Sequence, residues 1–133
     1  MNDAVQKALD LSPAASAAER TIDITTIGAK SGEARRIEIW FHKVDGRLFI
    51  TGSPGRPRSW YANLVANPHF SFHLKHGVTA DLAAVARPVT DEDERRQVFT
   101  GMIAALPDVA DSEWPPIEAW LEKSPLVEVE FAA

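Results

Sequence analysis

Apolar and polar positions alternate along much of this 133-residue chain. RTIDITTIG alternates through Ile22 and Ile24. ARRIEIWFHKV keeps the same period, with Ile37, Ile39 and Phe41 pointing one way and Arg36, Glu38, Trp40 and His42 the other. HFSFHLK sends Phe70, Phe72 and Leu74 inward, and LVEVEF does so with Val127, Val129 and Phe131. A period of two marks a half-buried strand, because successive side chains of an extended backbone leave on opposite faces. VDGRLFI and VTADLAAVARPV bring the number of predicted strands to about six. Between two of them stands Asp45-Gly46, a dipeptide that tolerates the positive φ of a tight hairpin.

Helical signals are fewer. Residues 3–10 predict a short helix with Ala4, Val5, Ala8 and Leu9 on one side, and SPAASAAE reads as a small-residue linker out of it. Ser59 is the expected N-cap of a second short helix, closed by Asn67-Pro68 because the residue before proline avoids helical backbone. TDEDERRQVFTGMIAAL predicts a longer helix with Thr90 at its cap and acids crowding its positive end. PPIEAWLEK predicts a short one begun by proline. No strand–helix alternation suggests a parallel sheet. The expected fold class is therefore α+β, mainly β: an antiparallel barrel of about six strands with three or four peripheral helices. One domain is expected over residues 1–133, with the N-terminal helix and linker in 1–19 and the barrel from 20 onward.

Composition narrows the classes. The chain has no cysteine, which removes disulfide frameworks, thiolate zinc sites and cysteine nucleophiles and accords with a cytoplasmic location. The N-terminus lacks the apolar core of a secretory signal, and no stretch approaches a membrane span. The net charge of −5 conceals an asymmetry: residues 1–80 carry +3 and residues 81–133 carry −8. From Lys30 to Arg58, seven basic side chains stand against three acidic ones. An acidic molecule with one basic stretch suits a local anion site and not a nucleic-acid partner.

Two loops in that basic stretch carry candidate chemistry. GAKSG turns on Gly28 and Gly32 and presents Lys30 and Ser31 at its tip, with Arg35 and Arg36 just beyond. Backbone N–H groups beside a cation make a concavity for an anion. TGSPGRPRSWYANLVANP places Arg56 and Arg58 on a Gly/Pro-rich loop ahead of Trp60 and Asn63, which are three apart and share a helix face. An indole can stack on a flat ring while an amide hydrogen-bonds its edge. Together the loops suggest a ligand that is aromatic at one end and anionic at the other. Metal chemistry finds less support: His69 and His73 share a strand face but stand about 13 Å apart, too far for one ion. Dinucleotide, Walker and nucleophile-elbow motifs are all missing.

ITTIGAKSGEARRIEIW followed by ITGSPGRPRSWYANLVANPHFSFHL resembles the deazaflavin-dependent nitroreductase and quinone reductase family over about residues 21–90. The resemblance implies a split β-barrel of the flavin/deazaflavin oxidoreductase superfamily, and coenzyme F420 as cofactor. It implies that Lys30, Ser31 and Arg35 hold the cofactor's phosphate and the start of its tail. Ser53 and the Gly55–Arg58 loop, including Arg56, would line the ring, with Trp40, Trp60 and Asn63 close to it. The partner would be a small-molecule electron acceptor: a quinone, a nitro compound or an enone. Pairing into a homodimer is common in the superfamily. Three departures stand out: Ala29 replaces a second base before the turn lysine, Ser53-Pro54-Gly55 replaces a Ser-Lys-Gly, and no tyrosine follows Tyr61. FMN in the same barrel and a non-catalytic carrier of a flavin-like or fatty ligand are the alternative readings. The proton that follows hydride transfer could come from water or from His42.

Overall fold

The computed structural model describes residues 2–12, 15–55, 59–106 and 114–131. Six strands, β1 (Thr21–Ile27), β2 (Ala34–Val44), β3 (Arg47–Thr51), β4 (His69–Leu74), β5 (Ala80–Pro88) and β6 (Leu126–Phe131), close into an antiparallel barrel in the order β1-β2-β3-β6-β5-β4. β1 and β2 pair from Thr21↔Trp40 to Ile27↔Ala34, and β4 closes the ring through Ile24↔Phe72. The Asp45-Gly46 turn has φ of 52° and 76°, the positive pair that matches strand twist in a two-residue hairpin.

Among the described residues there are five helices: α1 (Asp3–Leu9), α2 (Ala17–Arg20), α3 (Ser59–Ala66), α4 (Glu92–Ala105) and α5 (Ile117–Lys123). Three local expectations are corrected. The presumed linker contains α2, held by a capping box in which Ser16 and Glu19 exchange side-chain-to-backbone bonds of 3.0 and 3.1 Å. Asp91, and not Thr90, caps α4, accepting from the Glu94 N–H at 2.9 Å. The Val89 N–H is already bonded to the Leu126 carbonyl, which keeps the chain extended up to that point. Ser59 is the first residue of α3, so its cap position falls outside the described residues.

The alternation produces two cores. The inward set, including Ile22, Ile24, Phe41, Ile50, Phe72, Val127 and Val129, fills the barrel. Its aromatic centre is edge-to-face, with Phe72 at 5.3 Å from both Phe41 and Phe131. Val5 and Leu9 of α1, and Trp60 and Leu64 of α3, join this cluster. The second core lies on the barrel's outer face, where Val44, Phe49 and Leu126 meet Val98, Phe99 and Met102 of α4 and Trp120 of α5. Polar contacts fix those helices. Arg47 and Arg87 each bind Glu94 of α4 and Glu128 of β6 at 2.7–3.0 Å. Arg95 donates to the carbonyls of Val89, Leu121 and Ser124 at 3.2, 3.0 and 2.7 Å, so one guanidinium ties α4 to the free carbonyls at the end of α5. No described helix is long and apolar enough to cross a membrane.

Candidate active site

A cleft of about 310 Å³ opens on the outer face of the barrel between β2, the end of β3 and the α4–α5 region. Its walls include Glu38, Trp40 and His42 of β2, Thr51 to Ser53, Leu106, Trp114 and Trp120. The β2 residues reach it because even-numbered positions of that strand face outward. Trp40 packs edge-on to Trp114 at 6.2 Å and to His42 at 6.5 Å. The far wall is fastened by polar contacts: Ser124 Oγ donates to the Gly52 carbonyl at 2.8 Å, and the Thr51 hydroxyl donates to the Pro125 carbonyl. Trp120 Nε1–H donates to the Pro115 carbonyl at 3.0 Å, which fixes the segment next to Trp114. Trp40 and Ser53 were expected at a ring site, and both line this cleft. Thr51, Gly52, Trp114 and Trp120 were missed. The readable clue was an aromatic residue immediately before the Pro115-Pro116 helix start.

The GAKSG turn lies at the other end of β2. Arg35 stands opposite Thr26 in the ladder, and Trp40 is about 16 Å farther along the strand. The turn is built more tightly than a bare concavity. Gly28 N–H donates to the Glu33 carbonyl and Gly32 N–H to the Gly28 carbonyl, at 2.8 and 2.9 Å. Ala29 N–H donates to Asn63 Oδ1 and Glu33 N–H to Ser31 Oγ, at 2.9 and 3.1 Å. A Cβ on Gly28 would lie 2.4 Å from Ser31 Oγ, so a larger residue there would make the Ser31 hydroxyl turn away from the Glu33 N–H. With these four N–H groups occupied, attraction for an anion falls to the tip of the turn, to the N–H groups of Lys30 and Ser31 and to the side chains. Lys30 is exposed and makes no ion pair among the described residues. Arg35 keeps 60% of its side chain exposed, with only a 3.6 Å approach to the exposed Glu33. Alternation separates it from Arg36, which binds Asp23 at 2.9 Å.

The α3 motif takes a different place from the one expected. Trp60 and Asn63 do share a face, but that face looks into the barrel. Trp60 is 6% exposed within the core, and Asn63 is spent on protein contacts, donating to Thr26 Oγ1 at 3.0 Å while accepting from Ala29. Asn63 therefore shapes the turn from behind. Gly55 is exposed with φ of 77°, and Arg56 and Arg58 lie outside the described residues.

His42 is 5% exposed, and its Nδ1 has no hydrogen-bond partner. Burial, seconded by the nearby Arg20 cation, pushes its imidazolium down to about 3. At neutral pH this holds it as an uncharged imidazole. Of the two spaced histidines, His69 is exposed, while His73 is buried between Thr25 Oγ1 at 2.7 Å and Asp81 Oδ1 at 2.6 Å.

The profile of the F420H2-dependent quinone reductase family matches residues 14–114, three quarters of the chain and the whole span from α2 to the edge of the cleft. The chain belongs to that family. It is accordingly an oxidoreductase whose cofactor is coenzyme F420. Solved structures are similar as well. An F420H2-dependent reductase is 25% identical, with a TM-score of 0.57 over 84% of this chain and 94% of its own. A conserved hypothetical protein from Mycobacterium tuberculosis is 20% identical, with a TM-score of 0.67 over 100% and 82% of the two chains. A domain-swapped dimer is 24% identical, with a TM-score of 0.55 over 84% and 80%. These agree on the split-barrel fold.

Proposed function

We propose that this F420-dependent reductase holds the deazaflavin ring in the Trp40–Ser53 cleft, holds the anionic tail at Lys30 and Arg35, and reduces a quinone. One observation carries the reading: a walled aromatic cleft stands at one end of β2 and two exposed cations at the other, Lys30 at the tip of the turn and Arg35 on the strand face opposite Trp40. The residues fit the group on structural grounds. The cleft offers indole surface for a flat ring, and about 310 Å³ lies within the usual range of small-molecule sites. The exposed charges of Lys30 and Arg35 suit phosphate and carboxylate. Ser31 and Ser53 supply hydroxyls beside each end.

When bound, reduced coenzyme F420 supplies a hydride to an electron-poor acceptor. The chain's own residues position the partners: Trp40, Trp114 and Trp120 narrow the cleft and limit the water within it, and β2 sets the span from ring to tail. Reduction of a quinone to its hydroquinone needs one proton besides the hydride. Water supplies it in this reading, because His42 is neutral. Among acceptors the family description favours a quinone over nitro compounds and enones. Pairing of two copies is adopted from the domain-swapped relative, and light scattering in solution tests it.

The deciding experiment is a fluorescence titration with coenzyme F420 and, separately, with FMN, followed by turnover of reduced F420 against a naphthoquinone, a nitroarene and an enone. Preferential F420 binding with quinone turnover supports the proposal. Preferential FMN binding, or F420 binding without quinone turnover, defeats it.

A further inference from the structure

Away from the reductase cleft, three neighbouring strands bring a hydroxyl, an imidazole and a carboxylate into one line. Thr25 of β1, His73 of β4 and Asp81 of β5 share the outer face of the barrel, because Ile24, Phe72 and Leu82 beside them turn to the core. Thr25 Oγ1 lies 2.7 Å from His73 Nε2, and His73 Nδ1 lies 2.6 Å from Asp81 Oδ1. A carboxylate only accepts, so the ring proton belongs on Nδ1, and Nε2 of the neutral imidazole accepts from the Thr25 hydroxyl. The order is nucleophile, base and orienting carboxylate, each member fixing the next. His73 is 7% exposed, whereas Thr25 is half-buried and Asp81 exposed. The ladder sets the surroundings. Thr25 stands opposite Arg36 of β2 and Ser71 of β4, and Ser71 stands opposite Ala83 of β5, so a row of small side chains ends in a cation. Arg36 donates through Nε to Asp23 at 2.9 Å and keeps 55% of its side chain exposed. Other charged groups on this face are Asp23, across the ladder from His73, Glu38 beyond it, and Lys75, which binds both acids.

We propose that Thr25 is a nucleophile, with His73 as its base and Asp81 positioning the ring, and that it accepts the acyl group of small carboxylic esters. This activity is separate from the reduction and does not rest on the reading above. Thr25 Oγ bonds to the ester carbonyl carbon as its proton passes to His73 Nε2. Arg36, opposite Thr25, supplies positive charge for the oxyanion that forms. When the C–O bond to the leaving group breaks, the leaving oxygen takes the proton from Nε2, and an acyl-Thr25 ester remains. Water, giving a proton to the same nitrogen, then releases the acid and restores the hydroxyl. The net change is hydrolysis, with nothing oxidised or reduced. Asp81 touches no reacting atom: it keeps Nε2 aimed at Thr25 and stabilises the imidazolium. A low row of small side chains gives little grip on a long chain, so a short acyl group on a good leaving group is the class that fits.

The test uses the intact protein and p-nitrophenyl acetate. Samples are quenched in acid within the first turnover, and fragmentation mass spectrometry of the tryptic peptide spanning residues 21–30 locates the acetyl group. The proposal expects it on Thr25, absent from Thr25→Val and present in Thr25→Ser. His73→Gln should slow its formation on the order of a hundredfold. Asp81→Asn should slow it as well, and Asp81→Glu should recover part of the rate. Both Asp81 variants should melt as wild type does, because that side chain is 75% exposed. A strand-to-strand tie without chemistry would show no such recovery at constant stability. Acetyl groups on lysines and none on Thr25 overturn the proposal, as does equal labelling of Thr25 in wild type and His73→Gln. Should His73→Gln fail to fold, Asp81→Asn decides, and an unchanged acylation rate there overturns it.

Discussion

The backbone N–H of Ala29 donates to the side chain of Asn63 at 2.9 Å, joining the β1–β2 turn to a helix 34 residues away. The Asn63 side chain in turn donates through Nδ2 to Thr26 Oγ1 at 3.0 Å, so a single buried side chain holds both the end of β1 and the start of the turn. The exposed charges at the turn's tip stand on a turn braced by an asparagine whose side chain is engaged with the protein on both sides.

Asn63→Ala leaves the buried Thr26 hydroxyl without its partner and takes from the part-buried Ala29 N–H its acceptor. It should cost about 1–3 kcal/mol of stability, read from urea unfolding. F420 affinity should fall with it, although the side chain is not in the cleft. Unchanged affinity at reduced stability would separate the turn from the cofactor site.

Lys30→Ala should behave in the opposite manner. Its side chain is exposed and makes no ion pair among the described residues, so the melting temperature should stay where it is. F420 should bind roughly three- to tenfold less tightly at low salt, with the difference shrinking as salt screens the exposed charge. FMN has its phosphate as its one anionic group, so it should lose less than F420. Equal F420 affinities for the two proteins at low salt would remove Lys30 from the site.

Acid should erode the stability of the fold in two pH windows. His42 keeps its imidazole neutral down to about 3, against an ordinary 6.5, through burial and then the Arg20 cation. The unfolded chain takes up this proton near pH 6.5 and the folded chain does not, so stability declines as pH falls from 6.5 toward 3. Glu94 is drawn down from 4.5 to about 2 by hydrogen bonds from Arg87 and Arg47. Its contribution is complete above pH 4.5 and is lost as pH falls toward 2. Calorimetry should find His42→Leu flatter than wild type between pH 6.5 and 4.5, and Glu94→Gln flatter only below 4.5. Identical profiles in the upper window would contradict the burial of a neutral His42.

Gly101→Ala sets helix propensity against packing. Alanine in the middle of α4 should add up to about 1 kcal/mol. A Cβ there would lie 2.6 Å from Val44 Cγ1, and the β-branched Val44 has little rotamer freedom to give way. Overpacking of this kind costs about 1–3 kcal/mol, so the clash should win and the variant should be less stable. Adding Val44→Ala should recover part of the loss. A stabilised single variant would mean that α4 can shift outward from the barrel.

The strand pattern carried over almost intact, for a local reason. Which face a side chain takes is set by its parity along an extended backbone, and Ile37, Ile39 and Phe41 did turn inward while Trp40 and His42 turned out. Capping is also written locally: Ser16 and Glu19 announce α2, and Asp91, next to Thr90, caps α4. Asn63 was harder. Its spacing from Trp60 said correctly that they share a face but could not say whether that face meets ligand or core.

By itself, then, the sequence determined the strands, their facing, the hairpin at Asp45-Gly46 and the family signature around Lys30. These follow from backbone geometry and short-range chemistry. Only the tertiary structure decided that β4 closes on β1, that Asn63 is spent on Ala29, and that His42 is a neutral imidazole with an empty Nδ1. Each depends on residues far apart in the chain excluding water from one place, and burial of that kind has no counterpart in a local pattern.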